Sequence, residues 1–374
     1  MTASNGGRSS FEERAARLEK IRQQAEMEAR AKGVGSALGS RQKEVTEKSF
    51  PKPHSSIASA RTGYYGTPLL KVPAWTWEVP LYFFVGGAAG SAAALAQIGK
   101  FTSSDYKLVN DARWIAAIGG AISPVLLISD LGRPERFLNM LRVFKIQSPM
   151  SVGSWTLVVF STSAGVGVTC NLLREQAPGF VPLRWAGNAA DLLAMISGLV
   201  LCSYTGVLIG ATAIPVWHEN IGLLPLYFAM SGLSTSVSLL ELCGNCPPVL
   251  TTLGLGVAAT ETFIGASLQL KRNRNNRPLQ RGRTGWLTRI AGILSGPLPL
   301  ILRMLAGRKN NPRSVKLRKA AAISAIAGSV ATRVAWIQAG QASAADPSIP
   351  LELPSTPGKK IPIRAKTALS SSAD

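Results

Sequence analysis

An all-α integral membrane protein with about eight transmembrane helices, resembling two four-helix bundles, is the fold this sequence predicts. Three observations predict it. The 374 residues are 46% hydrophobic and only 16% charged. From Pro73 onward the apolar residues gather in runs, each about as long as the roughly 20 residues a bilayer-spanning helix needs. The charge is lopsided, with 41 Lys and Arg against 20 Asp and Glu for a net +21, yet the basic residues sit in the tails and between the apolar runs. That distribution marks a membrane protein rather than a polyanion binder, and the aromatic and basic interleaving of RNA-binding modules is missing.

Residues 1–72 form a polar tail without the apolar h-region of a signal peptide. Within it, "FEERAARLEKIRQQAEMEARAK" has Glu and Arg or Lys at i,i+4 spacing, which predicts a solvated polar helix or a docking helix for a partner. Residues 73–342 form the transmembrane domain and 343–374 a polar C-terminal tail. The expected spans are 77–98, 109–129, 151–172, 190–211, 223–242, 250–270, 286–305 and 320–339, with both ends on one side. In the first, "GGAAGSAAA" reads as packing, because close approach of backbones holds helices together in lipid. It follows no strand and carries no Gly-Lys-Ser, so it is not a phosphate cradle. Pro124, Pro297 and Pro299 should kink their helices where neighbours re-satisfy the freed carbonyls.

Metal-ligand arithmetic removes several functions. Of Cys170, Cys202, Cys243 and Cys246, only "CGNC" forms a C-x-x-C pair, too few sulfurs for an iron–sulfur cluster or a structural zinc. The pair reads as a helix cap or packing feature before a redox pair. His54 and His218 are the only histidines, so no helix pair can offer facing haem ligands, and the C-x-x-C-H attachment motif is absent. Electrons passing through this chain would need a diffusible carrier.

The remaining chemistry rests on ionisable residues at membrane depth: Glu78, Asp130, Asp191, Glu241 and Glu261. A carboxylate in hydrocarbon costs roughly 2.5–3.5 kcal/mol even on the lenient insertion scale, so such groups face the bundle interior and serve protons, ions or polar ligands. Glu261, near the middle of its span, reads either as a protonated carboxyl bonded to a neighbouring helix or as a proton-path group. Asp191, Glu241 and Arg333 lie near enough to helix ends to snorkel. In "LISDLGRPERFLNMLRVFKIQSPMSVGSW", Gly132 and Pro134 break the second helix, Arg133 can fold back on Asp130, and Arg136, Arg142 and Lys145 lie in the following loop.

That stretch occurs in order with "WTWEVPLYFFVGGAAG", "YTGVLIGATAIPVWHE" and "LYFAMSGLSTSVSLLE". Together, from Trp75 to about Glu261, they resemble the membrane subunits of the polysulfide reductase, or NrfD, family. The resemblance implies a haem-free subunit of a respiratory oxidoreductase that binds quinone (menaquinone or ubiquinone) as an exchangeable ligand, with no iron–sulfur cluster in this chain. It implies a four-cluster iron–sulfur partner subunit, a catalytic molybdenum or haem subunit, and a place in a bacterial-type inner (plasma) membrane.

Carried over by residue, the quinone site comprises Trp77, Glu78, Asp130, Arg133 and Tyr204, whose phenol can donate to a quinone carbonyl. Gly206 should leave room for the planar head. Glu78 stands where some members are expected to carry a histidine, so the proton path is drawn through Asp130, His218 and Glu261. Two alternatives stand beside this reading. A pure membrane anchor would hold its partner without quinone chemistry, and a secondary transporter would need matched broken helices in two halves, which the sequence lacks. The positive-inside rule narrowly favours cytoplasmic termini, whereas family analogy places the Asp130 loop outside.

Overall fold

The computed structural model describes residues 70–102, 105–133, 135–177, 179–271, 273–307 and 311–346. The charged tail segment at 11–32, His54 and residues 347–374 lie outside them. The spanning helices are α1 (Glu78–Phe101), α2 (Tyr106–Asp130), α3 (Pro149–Gln176), α4 (Val181–Gly210), α5 (Leu224–Leu242), α6 (Pro248–Leu270), α7 (Gly282–Ala306) and α8 (Pro312–Ala345). There is no strand among the described residues. Helices α1–α4 pack as one four-helix group and α5–α8 as a second, with α1, α4, α5 and α8 meeting along the seam.

Seven of these helices are long and apolar enough to cross a membrane. The exception is α5, diluted by Ser231, Ser234, Thr235, Ser236, Ser238 and Glu241, and it is the helix that packs against α1, α4, α6 and α8 at once. Its hydroxyls are fully buried, and two of them bond out to α1 and α8: Thr235 Oγ1 donates to Ser329 Oγ at 2.9 Å, and Ser236 Oγ to the Ala88 carbonyl at 2.6 Å. A helix enclosed by other helices can be polar because lipid never touches it. With it the long helices among the described residues number eight, consistent with the about eight that the sequence predicts.

The glycines of α1 let backbones meet. A Cβ on Gly198 of α4 would lie 2.6 Å from the Gly90 carbonyl oxygen, and one on Gly232 of α5 would lie 2.7 Å from that of Gly87. Such contacts supply the close packing that holds helices in lipid. Pro124 in α2 has no N–H for the Gly120 carbonyl, and Ser161 Oγ of α3 donates to that oxygen instead, at 2.7 Å. Helix α7 is broken at Gly296, with Pro297 starting its second half. A Cβ on Gly296 would lie 2.8 Å from Thr262 Oγ1, so this glycine lets the break press against α6.

At the far end of the seam, "CGNC" closes α5 as a cap. Gly244 takes φ +89°, the Asn245 amide donates to the Leu240 carbonyl, Lys107 Nζ donates to the Cys243 carbonyl at 3.0 Å, and Asn245 Nδ2 reaches Asp111 at 2.6 Å. Burial, with Asp111 beside it, pushes the Cys243 thiol up despite Lys107, which does not suit a reactive redox cysteine.

Candidate functional site

The N-terminus of α1, the C-termini of α2 and α4 and the N-terminus of α3 meet at one end of the first bundle. The chain entering α1 is clamped there. Trp75 stacks on Trp217 with centroids 5.3 Å apart, Trp217 Nε1 donates to the Trp336 carbonyl at 2.8 Å, and Gln341 Nε2 donates to the Pro73 and Trp75 carbonyls at 3.2 Å. This clamp sets Thr76 between two of the expected residues. Its hydroxyl lies 3.2 Å from Asp130 Oδ1 and also contacts Glu78 Oε2. The Thr76 hydroxyl has one proton to donate, so it can serve one of the two carboxylates at a time. Trp77 stands beside them with 66% of its surface exposed.

Tyr82 follows Glu78 by one turn of α1, about 6 Å along the axis. Its hydroxyl lies 2.8 Å from that of Tyr204 on α4, and both rings are buried. Between two phenols one proton makes the mutual bond and the other is left to give. Tyr204 also lines a groove of about 450 Å³ between α3 and α4, walled by Ile146, Pro149, Val152, Leu199 and Val207. An interfacial belt tyrosine would face outward, and this one does not.

The loop signature serves the groove. Ser148 caps α3 with Pro149 at its first position, Ser151 Oγ accepts from the Lys145 amide at 3.0 Å and donates to the Val143 carbonyl at 3.1 Å, and Trp155 packs edge-on against Phe144. Gly153 is what Tyr204 leans on, since a Cβ there would lie 2.6 Å from the phenolic oxygen.

Several expectations need correction. Arg133 is exposed and forms no ion pair with Asp130, because Gly132, at φ +65°, turns the chain away from the helix end. Gly206 makes no room beside Tyr204: a Cβ there would lie 2.6 Å from the Leu224 carbonyl oxygen, so it serves helix packing. His218 is exposed on the short helix Pro215–Glu219 and has no hydrogen-bonded link to Asp130.

Glu241 and Arg333 do not snorkel. Arg303 of α7, 1% exposed, donates to Glu241 Oε2 through Nη2 at 3.0 Å and Nε at 3.3 Å, and also to Ser238 Oγ and the Gly254 carbonyl. Arg333, also 1% exposed, donates to Ser231 Oγ at 2.6 Å and Ser329 Oγ at 2.7 Å and lies over the Phe228 ring. Helix ends predicted surface-seeking charges, but these face the interior of the second bundle, where α5 supplies hydroxyls. Glu261 is buried beside Ser231 and Ser234 of the neighbouring helix α5, with Arg333 close by. Its neighbours do not include Asp130 or His218. Asp191 of α4 is paired with Arg113 at 2.6 Å and Lys100 at 3.2 Å.

Thr76, Tyr82, Gly153 and Arg303 were missed by the sequence reading. Tyr82 was findable, because it stands at i+4 from Glu78 on the same helix face. Thr76 and Gly153 act only through neighbours that the fold supplies.

Residues 70–246 match the family model described as Polysulphide reductase, NrfD, so the match spans α1–α5 and ends in the cap after α5. No curated protein matches the chain in sequence.

Proposed function

We propose, on the premise that residues 70–246 are an NrfD-family membrane domain, that this chain is the quinone-binding, haem-free membrane subunit of a respiratory oxidoreductase. The observation that carries the reading is the convergence of a phenol pair with a proton to give, two carboxyls around one hydroxyl, and an apolar groove at one end of the first bundle. Apolar walls suit an isoprenoid-bearing ring, and a few convergent polar groups orient it. A quinone bound there carries electrons and takes up protons as it is reduced. Tyr204 would donate a hydrogen bond to a ring carbonyl, Tyr82 would orient that phenol, and Glu78, Thr76 and Asp130 would hold the proton that moves. Trp77, exposed beside them, would shield the carboxyls from lipid headgroups. The electrons would pass to or from an iron–sulfur partner subunit, which serves a molybdenum- or haem-containing catalytic subunit in a bacterial-type plasma membrane. The ligand inventory supports a diffusible carrier, since His54 and His218 cannot pair across a haem. The proton path is narrowed to Glu78 and Asp130, because no contact joins these to His218 or Glu261.

The test is the affinity of a quinone analogue for purified protein. Tyr204→Phe should weaken it by about 1–3 kcal/mol, the cost of an unmet buried partner, while assembly with the iron–sulfur subunit is kept. Unchanged affinity would put the pure anchor reading first.

A further inference from the structure

A second cavity lies between α6, α7 and α8, mostly beyond the matched family region, with Tyr227 of α5 also on its wall. It holds about 290 Å³ and is walled by Leu268, Leu279, Gly292, Ile293, Pro297 and Trp336. Two glycines on its wall, Gly265 and Gly292, would find nothing within 4 Å of an added Cβ, so the space is open where side chains could have filled it. Ile293 at its rim is 54% exposed, which opens the cavity sideways between α6 and α7.

Directly against it lies a polar cavity of about 710 Å³, lined by Gln269, Asn273, Arg274, Arg277, Gln280, Arg281 and Arg289. Gln269 and Arg289 line both, so the two spaces adjoin. Four arginines and no carboxylate line the polar part. Beside it, Glu219 accepts from Asn273 Nδ2 at 2.7 Å and Asn275 Nδ2 at 3.1 Å. Trp286, on the first turns of α7 and 69% exposed, marks this level as the membrane interface.

An apolar chamber inside the hydrocarbon, adjoining an arginine-lined basin at headgroup level, has the polarity profile of one kind of molecule. We propose that this is a binding site for an anionic phospholipid, with an acyl chain in the α6–α8 cavity and the phosphate among Arg277, Arg281 and Arg289. Guanidinium groups bind phosphate through paired N–H donors, and basic pockets between transmembrane helices recognise acidic headgroups. A free phosphate would need only the basin, whereas the adjoining chamber calls for a tail. The quinone site stands on other residues at the first bundle, so neither reading depends on the other.

The test is the melting temperature of the full chain in neutral detergent, titrated separately with phosphatidylglycerol, phosphatidylcholine and inorganic phosphate. Phosphatidylglycerol should raise it saturably, at a half-saturation at least roughly tenfold below that of phosphatidylcholine, and phosphate alone should not move it. The Arg277→Gln, Arg289→Gln double variant should raise the half-saturation by roughly tenfold or more. Gly292→Leu, which fills the chamber without touching charge, should also weaken the response. Equal responses to the two lipids, or a response that both variants keep, would overturn the proposal. A shift reproduced by phosphate alone would replace it with a free-anion site.

Discussion

In the α1–α4 bundle the carboxylates Glu78 and Asp130 stand at helix ends and are half-buried, within reach of water, whereas in the α5–α8 bundle Glu241, Glu261, Arg303 and Arg333 are enclosed by helices. The first arrangement leaves groups free to meet a ligand. The second locks most of them onto one another, since Glu241 holds Arg303 and the α5 hydroxyls hold Arg333. Charge at a bundle end is therefore available for chemistry, while charge inside is largely spent on joining helices of dissimilar sequence. The groove beside Tyr204 belongs to the first kind.

The largest effect should come from breaking the enclosed pair. Arg303→Met alone leaves Glu241 buried without its partner and should cost about 3–5 kcal/mol, seen as lost thermal stability in detergent. Adding Glu241→Leu should recover most of that loss, since two apolar residues of similar volume remove both buried charges. If the double variant is as unstable as the single, the pair does more than neutralise itself.

Next comes Gly153→Ala. Its Cβ would lie 2.6 Å from the Tyr204 oxygen, so the phenol must move, at a cost of about 1–3 kcal/mol in stability. Quinone-analogue affinity should fall about as far as in Tyr204→Phe. Gly206→Ala should cost similar stability, because it pushes on the α5 backbone, yet leave affinity nearly intact. Equal losses of affinity in both variants would blur the distinction between site and scaffold.

Smaller effects test the carboxyl pair. Glu78→Gln and Asp130→Asn should each slow quinol-linked electron transfer, with the double variant little worse than either, because both groups act around the Thr76 hydroxyl. Arg133→Gln should change the rate least, since Arg133 is exposed and unpaired with Asp130. Simple addition of the two carboxyl losses would separate them into independent roles.

Eight helices, their order and the glycine packing of α1 were legible because hydropathy and small-residue runs are local properties of the chain. The α5 helix was legible only as a span: its serines gave no hint that it would be the enclosed one, because enclosure depends on five helices arriving together. At the site, Glu78, Asp130 and Tyr204 could be named from motif order, whereas Thr76 and Tyr82 gain their roles from contacts across 54 and 122 residues of sequence. Arg333 and Glu241 misled for the same reason, since distance from a helix end says nothing about what surrounds a side chain.

The central claim is that quinone binds at the end of the first bundle and not in the apolar cavity of the second, and photo-crosslinking tests it most directly. The full chain in membranes would be labelled with a photoreactive quinone analogue, with excess quinone as competitor, and the labelled peptides mapped. Competed label should fall on the start of α1 around Trp77 and Tyr82, or on the groove residues Pro149, Val152, Leu199 and Val207. Competed label on Leu268, Leu279 or Trp336, or label that excess quinone does not displace, would contradict it.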